Sequence, residues 1–355
     1  MKVRINRKEE TMSEQVKRIF KNNIITDALF HTLLKDPPPE CNMEKNIIDM
    51  IMEGGVNCIA DSILDDVYKD NFKDLCYAIY DHELLRDCMP DKILLVNKFD
   101  DIEKAKREGK LAIILSTQGT DSFERDVRLV SMAYKLGIRV MQITYNYECE
   151  VGSGAYATTD NGLTHFGRQV ITEMNRVGMV IDVSHVGAKT AMDAILRSEK
   201  PVIYSHSSVK ANANHVRNAS DEHLKALIAN GGVICLCPHC VFNTNDLSKR
   251  PTVENFIDAM FHVASIAGNF DNVGIGTDRW SRDTMMNTFK KIGFERTTKG
   301  FFGGFDSNSK HVEGFNYYDE WENLAEHMLK RGISEEDTGK ILGGNVLRVY
   351  KANWV

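Results

Sequence analysis

Long apolar runs are what this sequence most plainly lacks. No stretch of its 355 residues reaches the roughly 18 uninterrupted apolar residues that a membrane-spanning helix needs. The first 23 residues, MKVRINRKEETMSEQVKRIFKNN, are charged throughout and contain no apolar core of a secretory leader. Together these absences argue against a membrane partner and set the cytoplasm as the expected compartment. A basic stripe is missing too: 44 Lys and Arg against 50 Asp and Glu give a net charge of −6, and the basic residues are scattered. Nucleic acid is therefore not an expected partner. No low-complexity tract stands out, nor any repeat beyond an alternation of short strands and helices.

What is present is enough apolar material for a full core, at 43% of the chain. A barrel of roughly 250 residues plus insertions fits the length. Eight cysteines (Cys41, Cys58, Cys76, Cys88, Cys149, Cys235, Cys237 and Cys240) could pair in principle. A secreted disulfide scaffold is normally small and carries a leader, so they read as mostly reduced thiols. The run Cys235-Leu236-Cys237-Pro238-His239-Cys240 could capture a soft metal, but structural zinc sites usually need a second ligand pair at a distance. Small apolar residues lining a strand are the plainer reading.

Eight short β-rich runs recur with helical segments between them: residues 24–30, 55–60, 111–116, 138–144, 178–184, 201–206, 232–237 and 272–278. This is the pattern of βα units around a parallel sheet. Eight units close a barrel more naturally than they make an open sheet, so the expected fold is α/β, a TIM-type (β/α)8 barrel. The expected organisation is an N-terminal helical extension over 1–23 and a single barrel domain over 24–355. Helices are predicted over FGRQVITEMNRVG, with its stop at Gly178, and over SDEHLKALIANGG, with Ser220 as N-cap and Asp221 and Glu222 in the first turn. The segment 279–316 reads as an excursion over the barrel mouth, and Pro37-Pro38-Pro39 as a fixed loop.

Polar residues cluster at the predicted strand ends. Strand five ends Asp182-Val183-Ser184-His185, strand six Ser205-His206-Ser207-Ser208, and strand eight Gly276-Thr277-Asp278. In a parallel barrel those ends meet on one face, so two imidazoles and a carboxylate could share a metal ion. Taken singly, each histidine also reads as a satisfied buried polar group.

The stretch GLTHFGRQVITEMNRVGMVIDVSHVGAKTAMDAILRSEKPVIYSHSSVKANANHVRNASDEHLKALIANGGVICL resembles the central block of the membrane dipeptidases. GIGTDRW resembles their eighth-strand motif and LKRGISEEDTGKILGGNVLRVY their C-terminal helices, so the likeness runs from about residue 24 to the end. The resemblance implies an amidohydrolase-type barrel that cleaves dipeptides with two zinc ions, often tolerating a D-residue at the C-terminal position. It places metal ligands at His185 and His206, the proton-handling carboxylate at Asp278 and the substrate-carboxylate site at Arg217. A guanidinium is a natural bidentate partner for a carboxylate.

Three positions depart from that pattern. Where the family reads Asp-Gly-His-x-Asp on strand one, this chain has Asp27-Ala28-Leu29-Phe30-His31, with leucine at the first ligand position. Where the family has a bridging glutamate on strand three, Gln118 stands, and a neutral amide cannot hold two dications close together. Tyr145 replaces the substrate-contacting histidine after strand four. Two readings follow. In the first, His185, His206 and His31 hold one divalent metal, zinc being the expected ion, and the chain hydrolyses a dipeptide or similar carboxylate-bearing amide. In the second, the chain retains the barrel and Arg217 and binds a small carboxylate ligand without hydrolysing it. His31 is equally a polar residue facing the mouth without a metal. Family resemblance also implies a homodimer.

Overall fold

The computed structural model describes residues 12–31, 45–65, 71–280, 305 and 309–354. Its strands are β1 (Thr26–His31), β2 (Cys58–Asp65), β3 (Ile93–Leu95), β4 (Leu111–Gln118), β5 (Ile138–Gln142), β6 (Val180–Asp182), β7 (Ile203–Ser207), β8 (Val233–Leu236), β9 (Val273–Ile275) and β10 (Arg279–Trp280). They form one sheet in the order β10-β1-β2-β4-β5-β6-β7-β8-β9, with β3 paired to β4 as well. Residues 276–278 join β9 to β10 as two parts of one stave. Parallel pairing of Phe30 with Arg279 and His31 with Trp280 brings that stave against β1 and closes a (β/α)8 barrel.

Side-chain alternation explains why the runs fold this way. Ala28, Cys58, Ala60, Ala112, Ile114, Val140, Val180, Ile203, Val233 and Cys235 form one buried cluster of mostly small residues. Their strand neighbours Ile59, Ile113, Leu115, Met141, Ile181, Ile234 and Leu236 belong to a second cluster with the surrounding helices. Small side chains fit the narrow barrel interior and large ones fill the outer layer. Because both faces are buried, β4 is buried at every position and reads as a near-continuous apolar run.

Two elements differ from expectation. β2 runs on to Asp65, past its predicted end at residue 60, because the buried Asp61 is paired with His82 Nε2 at 2.8 Å. The unpredicted β3 covers the first half of β4, whose second half pairs with β5. The predicted helices appear at His165–Val177, capped by Thr164 and by Gly178 at φ 91°, and at Asp221–Ala229, capped by Ser220.

The helix Asn345–Asn353 seals the N-terminal end of the barrel. Asn345 Nδ2 donates to Val273 O at 2.8 Å, and Tyr350 packs into the interior cluster. An N-terminal helix, Met12–Asn22, leans on the same region through a bidentate Arg18–Glu335 pair at 2.9 and 2.6 Å. Among the described residues no helix is long and apolar enough to cross a membrane. Pro37-Pro38-Pro39 and most of the 279–316 excursion lie outside the described residues. The excursion's return, from residue 309, runs beside the strand ends: Val312 N donates to Pro238 O at 2.8 Å.

Gly276 shows how tightly the stave of β9 and β10 is fitted. A Cβ there would lie 1.7 Å from Ser205 O. Gly276→Ala is therefore expected to lower stability by about 1–3 kcal/mol, read as a fall in the urea midpoint.

Candidate functional site

The ends of β6 and β7 build a buried polar chain. Asp182 Oδ1 accepts from the backbone N–H groups of Ser184 and Ser205, both at 2.9 Å, and its other oxygen accepts from the Ser205 hydroxyl. Burial pushes the Asp182 carboxyl up, while these bonds pull the other way. Ser205 Oγ lies 2.7 Å from His206 Nδ1, and His206 Nε2 lies 2.8 Å from His185 Nε2. As the Ser205 hydroxyl is donated to Asp182, its oxygen accepts from His206 Nδ1–H, which leaves a lone pair on His206 Nε2.

His185 Nδ1 is contested. Arg217 Nη1 approaches it at 2.8 Å and can only donate, whereas Asn146 Oδ1 approaches at 2.7 Å and can only accept. The two contacts belong to the two tautomers of the ring. The Arg217-bound tautomer carries its hydrogen on Nε2 and donates it to His206; the Asn146-bound tautomer frees the Nε2 lone pair. Burial foremost, with the Arg217 charge second, holds His185 well below the usual imidazole range. Burial does the same to His206. Arg217 is itself buried, stacks over Phe242 at 5.4 Å and donates through Nη2 to His206 O at 3.1 Å. Its Nε has no hydrogen-bond partner.

Across the mouth, Asp278 Oδ2 is paired with His239 Nε2 at 3.1 Å. Burial would raise this carboxyl, but the His239 hydrogen bond and nearby positive groups outweigh it and hold Asp278 well below the usual range. Lys310 Nζ donates to Asp278 O at 3.1 Å, and His311 Nε2 donates to Thr277 O at 3.0 Å. Asn146, His185 and Asp278 take left-handed φ values of 59°, 62° and 49°. Such conformations are uncommon outside glycine and tend to gather at functional sites. Here all three are residues of the barrel mouth.

The first and third barrel strands supply different chemistry from the family pattern. Leu29 is fully buried, and the Gln118 amide is buried and donates to Ser62 Oγ at 3.1 Å. His31 ends β1 within electrostatic reach of His185 and His206, and Tyr145 stacks on His185 with ring centroids 4.3 Å apart. Asp27 accepts from Thr277 N at 2.8 Å, from the Thr277 hydroxyl and from Tyr318 OH at 3.1 Å. Burial raises the Asp27 carboxyl from 3.8 to about 6 despite those bonds. The folded state therefore holds this proton more tightly than the unfolded chain, so stability should fall by about 2 kcal/mol as pH rises from about 4 to about 6. The Asp27→Asn variant should lack that component, which paired urea titrations at the two pH values would show.

These donors do not fit the family's two-metal centre. A leucine and an amide occupy two ligand positions, and among the described residues no group of three or more His, Cys, Asp and Glu side chains is arranged to hold a metal ion. Two imidazoles on one tetrahedral zinc, with bonds of 2.0–2.1 Å, have their nitrogens about 3.3 Å apart. The 2.8 Å separation of His185 and His206 is instead that of a direct hydrogen bond. Nor does the cysteine run offer thiolates. Cys235, Cys237 and Cys240 are buried and free, and burial pushes all three thiols up, that of Cys240 to about 12. Among the described residues six cysteines are free, in line with the expectation of mostly reduced thiols, while Cys88 is disulfide-bonded.

His239 was read from sequence only as part of the cysteine run, and Lys310, His311 and Arg279 were not singled out. His239 could have been found as the imidazole following a barrel strand. Lys310 and His311 carry no such signal, since they reach the mouth only through the fold.

A family model described as membrane dipeptidase (Peptidase family M19) matches residues 78–293 and 283–353. The chain belongs to that family. Within it, the chain is 31% identical over 299 residues to dipeptidase tcpJ of Claviceps purpurea, covering 84% of this chain and 63% of that protein. It is 30% identical over 256 residues to an uncharacterized dipeptidase, C965.12, of Schizosaccharomyces pombe, covering 71% of this chain and 55% of that protein. The chain thus spans about three fifths of the curated relatives it matches. A crystal structure of an amidohydrolase from Pseudomonas aeruginosa superimposes with a TM-score of 0.82 at 30% identity, covering 96% of this chain and 99% of that one. This membrane dipeptidase family member is divergent, with altered metal-ligand positions.

Proposed function

We propose that this chain binds a small carboxylate-bearing ligand of the dipeptide class at the barrel mouth and does not hydrolyse it by the family's two-metal route. The supporting observation is Arg217, a buried guanidinium with an unpartnered Nε, set against His185 and His206 where Leu29 and Gln118 have removed metal ligands. A desolvated guanidinium gains most from a carboxylate that replaces its lost water. As Arg217 turns to the ligand, His185 Nδ1–H can donate to Asn146, and the His185–His206 hydrogen bond is given up in exchange.

A second reading, hydrolysis with one divalent metal, draws on the convergence of His185 and His206 near Asp278. Calorimetric titration of the full chain with a dipeptide panel, followed by mass spectrometry of the same samples after prolonged incubation, separates the two. Saturable binding with intact dipeptide is expected; accumulation of free amino acids would overturn the binding-only reading.

A further inference from the structure

Three rings surround the contact between His185 and Arg217. Tyr145 stacks on the His185 ring with centroids 4.3 Å apart, while Arg217 Nη1 meets Nδ1 of that same ring at 2.8 Å. Tyr156 is fixed just beyond: its N–H donates to Asn146 O at 2.8 Å, and the N–H of its neighbour Ala155 donates to His185 O at 2.7 Å. From there the Tyr156 ring meets the His215 ring edge-on, with centroids 6.3 Å apart. His215 is tied to the guanidinium-bearing residue itself, because its Nδ1 accepts from Arg217 N–H at 3.2 Å. Tyr156 therefore spans from the His185 side of the contact to the Arg217 side.

Phe242 backs the arrangement. The Arg217 guanidinium carbon lies 5.4 Å from its ring centroid, and the His215 ring lies 4.9 Å from it. Phe242 is buried, whereas Tyr145, Tyr156 and His215 are each half-buried and keep part of their surface open. Tyr156 and His215 are uncharged near neutral pH: burial pushes the Tyr156 phenol up, and burial with the Arg217 charge lowers His215 to about 4. A carboxylate held by Arg217 thus has aromatic surface beside it, and the side chain of the residue that carries the carboxylate comes within reach of these rings.

We infer that the three rings form a specificity wall and that the ligand is a dipeptide whose C-terminal residue is aromatic, its carboxylate taken by Arg217 and its ring packed against Tyr145, Tyr156 and His215. This rests on the carboxylate-binding reading proposed above and names the ligand class within it. Tilted and edge-on rings present both an electron-rich face and an electron-poor edge to an added aromatic ring, a pairing that an aliphatic side chain of equal bulk cannot make. Rings already held by their neighbours lose little freedom when the ligand arrives.

The test compares alanyl-phenylalanine with alanyl-alanine and with alanyl-cyclohexylalanine, each as the L,L and L,D isomer, by calorimetry on the full chain. In the isomer that binds more tightly, alanyl-phenylalanine is expected to bind about tenfold better than alanyl-alanine and about threefold better than the cyclohexyl comparator. The first ratio should fall to about threefold or less in Tyr156→Ala and in His215→Asn, and hold in Tyr156→Phe. Asparagine keeps an acceptor where Nδ1 stands, so the bond from Arg217 N–H survives while the ring is lost. A role for His215 in placing Arg217 alone would leave the ratio unchanged. Equal affinities of the parent chain for alanyl-phenylalanine and either comparator would overturn the inference while leaving the carboxylate site standing, and so would a ratio unchanged in both ring-removing variants. The parent-chain comparison decides whether or not a variant folds. If none of the three dipeptides binds, both the site and the inference fall.

Discussion

Replacing Arg217 with methionine is expected to weaken dipeptide binding at least thirtyfold, while the same dipeptide with its C-terminus amidated binds parent and variant alike. The magnitude follows from removing one partner of a buried, hydrogen-bonded charge pair, which costs about 2–5 kcal/mol, with about 1.4 kcal/mol for each factor of ten. Methionine keeps much of the stem that packs near Phe242 and needs no desolvated charge, so thermal stability should hold or rise. Lysine should recover only part of the loss, because a single ammonium cannot reproduce the planar fork. Calorimetry on the three proteins with free and amidated ligand checks every part. An equal loss for both ligands would mean that Arg217 shapes the pocket without reading the carboxylate.

A gain is expected where the family's ligands are put back. Leu29→His, His31→Asp and Gln118→Glu together should raise the metal content to about two ions per chain after dialysis against zinc or manganese. Dipeptide hydrolysis should then appear on the order of a hundredfold above the parent. His185 and His206 already stand together at the barrel mouth and would exchange their mutual hydrogen bond for the metal, so the triple change supplies what is missing. Gln118→Glu alone should do little, since a carboxylate near two neutral imidazoles and a leucine is still one ligand short. Metal analysis by mass spectrometry and a ninhydrin assay provide both readouts.

The barrel was legible because its strands are buried on both faces. β4, buried throughout, and β1 present runs that no amphipathic helix would show. What escaped was set by partners distant in sequence. The end of β2 was hidden because Asp61 and Ser62 look like a turn until His82 is brought against Asp61. β3, with three residues, is too short to carry a pattern and exists by pairing with β4. At the site, His185, His206 and Asp278 stood out by their place at strand ends and Arg217 through the family resemblance, and the structure brings His185, His206 and Arg217 into direct contact. Arg279 was hidden because it follows Asp278 inside a motif and takes its packing from Phe315 and Tyr318. Lys310 and His311 arrive at the mouth more than thirty residues after the last strand begins, through an excursion whose course no local pattern specifies.

Departures from a family pattern gain meaning from the side chains around them. Leucine in place of a ligand would be a simple loss if the site were otherwise unchanged. Here the loss accompanies an imidazole pair joined by a hydrogen bond and a guanidinium that competes for His185. We propose that such a site holds an anionic ligand where the family pattern would hold metal ions.

The most direct test of this account is the metal content of the full chain, purified without chelator and dialysed against zinc or manganese, measured on the sample then assayed with a dipeptide panel. Fewer than two ions per chain, with dipeptides bound and recovered intact, is the predicted result. Two ions per chain with dipeptide hydrolysis would contradict it, and would show that Leu29 and Gln118 do not disable the centre.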